Sequence, residues 1–152
     1  MRKKSLILSI LLIVILITGC GKSNEKKLEC TMFSQGTNMN VYGTVKYIFK
    51  DDIVQTGKVQ AVFKDINLDN LENVWGTIKQ QFSEQNSPVD VSGYKRSNKS
   101  DDKNYTFTVN LEIDYTKISE STINEYGLED LRGKSYDEVK KITEESGEAT
   151  CK

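Results

Sequence analysis

Alternation of apolar and polar positions dominates this chain from residue 28 onward. Leu28, Cys30 and Met32 alternate with Glu29, Thr31 and Phe33, which predicts a first strand, and Ser34-Gln35-Gly36-Thr37 follows as a loop. From Met39, Val41, Val45, Tyr47 and Phe49 fall on odd positions while Thr44, Lys46 and Lys50 are polar. Asp51-Asp52 interrupts the pattern, and Ile53 to Ile66 resumes it with Val59, Ala61 and Phe63 on one face and Lys58, Gln60 and Lys64 on the other. These two runs predict an antiparallel hairpin turning on the two aspartates. The most regular segment comes later: Tyr105, Phe107, Val109, Leu111, Ile113 and Tyr115 face one way, and Asn104, Thr106, Thr108, Asn110, Glu112 and Asp114 the other. Such a strand has one side on a core and one side in water.

Between and after the strands the period changes. Leu71, Val74, Trp75, Ile78 and Phe82 recur at helical intervals, with Asp69 and Glu72 spaced as a capping box, so a helix is expected up to Ser87-Pro88. Trp75 sits on its apolar face and is read as core. Val89 to Lys95 is a short candidate strand, and the polar stretch Arg96 to Asp102 is expected to be a turn or loop. Ile118 to Leu131 has no clean period and is read as loop with a possible helical turn. Ser135 and Glu138 form a second capping box before the stripe Tyr136, Val139, Ile142, with Gly147 as the stop. The expected fold is α+β, an antiparallel sheet of about five strands in the order βββ-α-ββ-α, with helices packed on one face.

The first twenty residues follow another rule. Arg2, Lys3 and Lys4 precede an unbroken apolar or small-residue run from Leu6 to Ile17, and Ile17-Thr18-Gly19-Cys20 closes it. A basic start, a short apolar centre and a small-residue end make a secretion signal; the run is too short to cross a bilayer, which takes roughly 20 apolar residues. The ending resembles the bacterial lipoprotein signal, which implies that Cys20 carries a diacylglyceryl anchor and becomes the first mature residue. The expected organisation is therefore a signal peptide over 1–19, a lipidated cysteine and flexible tether over 20–27, and one α+β domain over 28–152. The domain would stand on the extracytoplasmic side of a cell membrane, held by lipid.

Composition narrows the chemistry. The whole chain has a net charge of −1 and contains no histidine. Losing Arg2, Lys3 and Lys4 makes the mature chain more acidic, so no nucleic-acid partner is expected. Without histidine a Ser-His-Asp or Cys-His site is excluded. Asp51-Asp52 and Asp101-Asp102 lack the alternate-position spacing of a calcium loop and read as turn acids, so no metal or cofactor is expected. Glu144, Glu145 and Glu148 read as a solvated helix end. Of three cysteines, Cys20 belongs to the signal; Cys30 and Cys151 lie at the two ends of the domain, and an even remainder in an exported chain predicts a disulfide between them.

The lipobox, the Tyr47-to-Val59 hairpin, the Gly93-Tyr94 strand, the Val109-to-Tyr115 strand and the Ser135-to-Gly147 helix together resemble the YehR-like family of small bacterial lipoproteins. That resemblance implies fold and location and carries no active site. Gly133 to Lys141 also looks like the first helix of modules similar to the β-lactamase inhibitor protein. The expected function is a non-catalytic, lipid-anchored envelope protein that binds an envelope protein or ligand through the open sheet face or the loops around Ser34 to Asn40 and Arg96 to Lys103. The alternatives are an inhibitor-like lipoprotein that blocks an extracellular enzyme and an envelope enzyme working through carboxylates or a tyrosine.

Overall fold

The alternating runs pair into a single antiparallel sheet. The computed structural model describes residues 24–146 and 149–152. Strands β1 (Glu25–Gln35), β2 (Asn40–Lys50) and β3 (Ile53–Lys64) form a meander. Helix α1 (Leu71–Gln85) leads to the short β4 (Val89–Val91), then β5 (Tyr94–Asp101) and β6 (Thr106–Asp114). Helices α2 (Glu120–Tyr126) and α3 (Tyr136–Glu145) precede β7 (Ala149–Cys151). The sheet has seven strands in the order β4-β5-β6-β3-β2-β1-β7.

The three helices among the described residues lie on one face. Phe82 of α1 meets Phe63 and Phe107, Trp75 stacks on Phe107 with centroids 4.6 Å apart, Tyr126 of α2 meets Tyr94, and Tyr136 of α3 meets Phe49. The cross-strand register places Phe107, Phe63, Tyr47, Phe49 and Tyr94 on that same face. In β3 the pairing slips by one residue, Ile48 opposing Thr56 and Phe49 opposing Val54, so this bulge brings Val54 to the core face although it breaks parity with Val59.

The hairpin turn is made by Asp51 and Asp52, both left-handed (φ 51° and 68°), the conformation a two-residue turn between twisted strands requires. Asp101 accepts from the backbone N–H groups of Lys103 and Asn104 at 2.9 and 3.2 Å, and Asp102 accepts from the Trp75 indole N–H at 2.8 Å. Both acid pairs therefore have structural employment, as turn chemistry expects.

Several expectations need correction. Residues 25–27 are not tether: they pair with Lys50, Phe49 and Ile48, because β2 is long enough to offer them a ladder. The Asp69/Glu72 capping box does not form. Asn70 takes the N-cap position in a left-handed conformation (φ 58°) with no side-chain cap, moving the helix start one residue on. Arg96 to Asp101 is strand, not loop, and Val89 to Lys95 is a hairpin bent at Ser92-Gly93. Beyond Tyr94, the inward Arg96 and Asn98 of β5 are polar because they satisfy the end of α1: the Asn98 amide donates to Asn86 O at 2.7 Å, and Arg96 Nε donates to Ser87 O at 2.9 Å. Ile118 to Leu131 contains a helix, capped at one end by Ser119 accepting from Thr122 N–H and at the other by left-handed Gly127. The Ser135/Glu138 capping box forms as read; Gly147 and Glu148 lie outside the described residues.

Gly93 illustrates a backbone constraint with a measurable cost. It has φ +77°, and a Cβ there would lie 2.4 Å from Ile118 N. Gly93→Ala is expected to destabilise the domain by about 2 kcal/mol, combining left-handed strain with displacement of the segment leading into α2. Urea unfolding checks it; a midpoint unchanged from the parent would show that the turn relaxes freely.

Candidate functional site

Two surfaces of the sheet are open to a partner. The first is the face opposite the helices, where strand pairing aligns side chains into rows. One row is charged: Glu29, Lys46, Lys58, Glu112, Lys95 and Asp90 stand next to one another across six strands. Lys46 pairs with Glu29 at 3.0 Å, Lys58 with Glu112 at 3.5 Å and Lys95 with Asp90 at 3.3 Å. These exposed pairs contribute little stability and mainly fix a pattern of charge. The adjacent row is neutral and polar, Thr150, Thr31, Thr44, Gln60, Asn110 and Ser97, with the Gln60 amide donating to Asn110 Oδ1 at 3.0 Å. The third row begins with Phe33, Tyr42 and Val62.

That third row carries the apolar corner of the face. Phe33 is 49% exposed and its ring lies 4.9 Å from that of Tyr42, while the Lys64 ammonium sits 3.9 Å from the Tyr42 centroid. Tyr42 and Asn40 both donate to Asp65 Oδ2 at 3.1 Å. The Asn40 amide, opposed by partial burial and helped by the Tyr42 hydroxyl and Lys64, holds the Asp65 carboxyl below its ordinary range. Phe33, Tyr42 and the Lys64 ammonium together make a small aromatic and charged corner on this face. The hollows of this face measure about 240 Å³ near Lys27, Ile48 and Thr56, about 370 Å³ near Thr44, Gln60 and Asn110, and about 440 Å³ beside Phe33, Tyr42 and Thr150.

The second surface is a cleft of about 470 Å³ on the helix side, between α3, the segment after α2, and strands β1 to β3. Met32, Val45 and Val59 form its floor, Ile142 and Leu131 its walls, and Glu129 and Glu145 its rim. Leu131 is fully buried, and the Asp130–Arg132 pair, with Nε and Nη2 donating to the two carboxylate oxygens at 2.8 and 2.7 Å, stiffens the segment. Tyr47 lines the cleft, and Tyr115 lies alongside: a Cβ on Gly57 would touch both rings at 3.1 and 3.2 Å. Burial first, and for both the nearby Glu129 charge, pushes the Tyr47 and Tyr115 hydroxyls above the ordinary tyrosine range. Both rings are therefore neutral hydrogen-bonding groups at physiological pH, not bases.

Of the residues singled out from the sequence, Cys30 and Cys151 are brought together at an S–S distance of 2.03 Å. They are direct cross-strand partners on β1 and β7, flanked by reciprocal backbone bonds between Glu29 and Lys152. Theirs is thus the close, non-hydrogen-bonded kind of pair, and the α-carbons lie 4.0 Å apart, nearer than the 4.4–6.8 Å usual for disulfides. Cys20 and the signal lie outside the described residues. Among the described residues, no group of three or more His, Cys, Asp or Glu side chains is placed to hold a metal ion, and no helix is long and apolar enough to cross a membrane. The cleft was missed by sequence reading because its floor and its rim come from segments a hundred residues apart that no local period connects. Compared with known proteins, the chain matches no family model, no curated protein and no solved structure.

Proposed function

We propose that this chain is a non-catalytic binding protein of the cell envelope, anchored by lipid on Cys20, which recognises an envelope partner through the open face of its sheet. The observation that carries this reading is the layout of that face: charged, polar and aromatic rows in fixed register, with Phe33 exposed at one corner. Broad, patterned surfaces of this kind suit macromolecular recognition. The anchor reading supplies an orientation. Because β1 starts at Glu25, only residues 21–24 separate it from Cys20, a reach of about 17 Å at most. Strand β1 then leads away from the anchor, and Phe33 stands eight residues, about 27 Å, beyond Glu25. The aromatic corner would be presented away from the membrane, where a partner can reach it.

Two measurements test the proposal. Metabolic labelling with a fatty acid is expected to mark the parent chain and not Cys20→Ala; equal label would remove the anchor. A photo-crosslinking residue placed at Thr44 or Thr108, on the open face, is expected to capture a discrete partner in cells, while the same residue at the exposed Gln80 of α1 captures none. Adducts from Gln80 alone would transfer the binding surface to the helices and end this reading.

A further inference from the structure

Beyond any macromolecular partner, the helix-side cleft has the composition of a small-ligand site of its own. Its volume of about 470 Å³ is enough to seat a small molecule in a depression that stays open to solvent on one side. Its floor and walls are aliphatic, an aromatic ring is set into it at Tyr47, and its charged lining residues, Glu129 and Glu145, are both acidic. No lysine or arginine lines it among the described residues. Glu145 is reached by Lys141 at 3.7 Å across the exposed side of α3, whereas Glu129 has no ion-pair partner among the described residues. Glu129 lies near the two buried tyrosines, where its charge adds a small contribution to what burial already does to their hydroxyls. An anion would meet only like charge here, and a neutral apolar ligand would leave the carboxylate without use.

We propose that the cleft between α3 and strands β1 to β3 binds a small organic cation, an ammonium or quaternary ammonium group carried on an apolar body. The apolar body lies on Met32, Val45 and Val59 beneath Ile142; the cation lies at the rim, next to Glu129 and on the side of Tyr47. Aromatic faces and carboxylates together are the groups that recognise quaternary ammonium, since such a cation is weakly hydrated and loses little on leaving water.

The full chain in zwitterionic lipid nanodiscs is titrated with benzyltrimethylammonium, with benzyl alcohol and phenylmethanesulfonate as neutral and anionic counterparts, following backbone amide shifts and subtracting empty discs. Shifts are expected at Tyr47, Val59, Leu131 and Ile142, with the cation binding at least about tenfold more tightly than the sulfonate. Glu129→Gln, a change in an exposed residue, is expected to weaken the cation about three- to tenfold and to leave benzyl alcohol within about twofold. Ile142→Lys, whose stem can keep its ammonium over the cleft, is expected to abolish cation binding while the amide spectrum stays folded. Equal affinity for cation and sulfonate, shifts confined to other surfaces, unchanged affinity in Glu129→Gln, or no binding up to about 10 mM would each overturn the proposal.

Discussion

Replacing Cys30 and Cys151 together by alanine is expected to lower stability by about 3–5 kcal/mol and the melting temperature by about 10–20 °C. The sulfurs are separated by 121 residues, nearly the whole described domain, and in the chain-entropy model a bridge over so long a loop stabilises by close to 5 kcal/mol. The effect has a location. Strand β7 has three residues and pairs, among the described residues, with Cys30 to Met32. Once the bond is absent, the amides of Cys151 and Lys152 should exchange with solvent well before those shared by β1 and β2, because an end strand this short is held by little else. Reduction of the unmodified chain provides the same test without a cavity at Cys30. A melting temperature within about 3 °C of the oxidised parent in both experiments would show that β7 is held by its packing against α3 and not by the bond.

Val109→Asp is expected to cost about 3–5 kcal/mol, a large share of the 5–15 kcal/mol typical of a domain, while Thr108→Asp costs less than about 1 kcal/mol. The two residues are neighbours on β6 and differ only in face. Val109 is 8% exposed and pairs with Ala61 and Asn98 on the helix side, where no cation is available to a carboxylate within the cross-strand row. Thr108 lies on the open face between Val62 and Lys99, so an aspartate there stays in water opposite an ammonium. Urea unfolding of both variants measures the difference. Equal midpoints would mean that β6 buries both of its sides, and the open face invoked for binding would then be covered.

The same face logic explains why the charged row is not an interior defect. Lys46 and Lys58 are direct neighbours, a like-charge pair that costs something in any sheet, yet each has a carboxylate on its other side. Such an arrangement is tolerable only where water screens it, which agrees with the exposure of all four side chains.

What the sequence by itself determined is the set of elements whose local period had no competitor. The alternation read over Tyr105 to Tyr115 admits one facing of β6, which forms over Thr106–Asp114 with Tyr105 left-handed (φ 48°) just before it; the Asp51-Asp52 break admits one hairpin, and Ser135 with Glu138 specifies a helix start through bonds made within four residues. The pairing of Cys30 with Cys151 was legible for a similar reason, as an even remainder at the two ends of a domain. Tertiary structure decided the rest. Arg96 and Asn98 are inward-facing on β5 although both are polar, because the partners that make them acceptable are the carbonyls at the end of α1, supplied only once the helix has packed. Residues 25–27 became strand because β2 ran long enough to pair with them, and Asn70 displaced Asp69 as the helix start through a backbone conformation that spacing does not encode. The cleft, likewise, exists because α3 and the Glu129 segment descend beside strands β1 to β3. Local bonds can be read from neighbours in sequence; a surface shared by segments distant in sequence is defined only when burial of the common core brings them together.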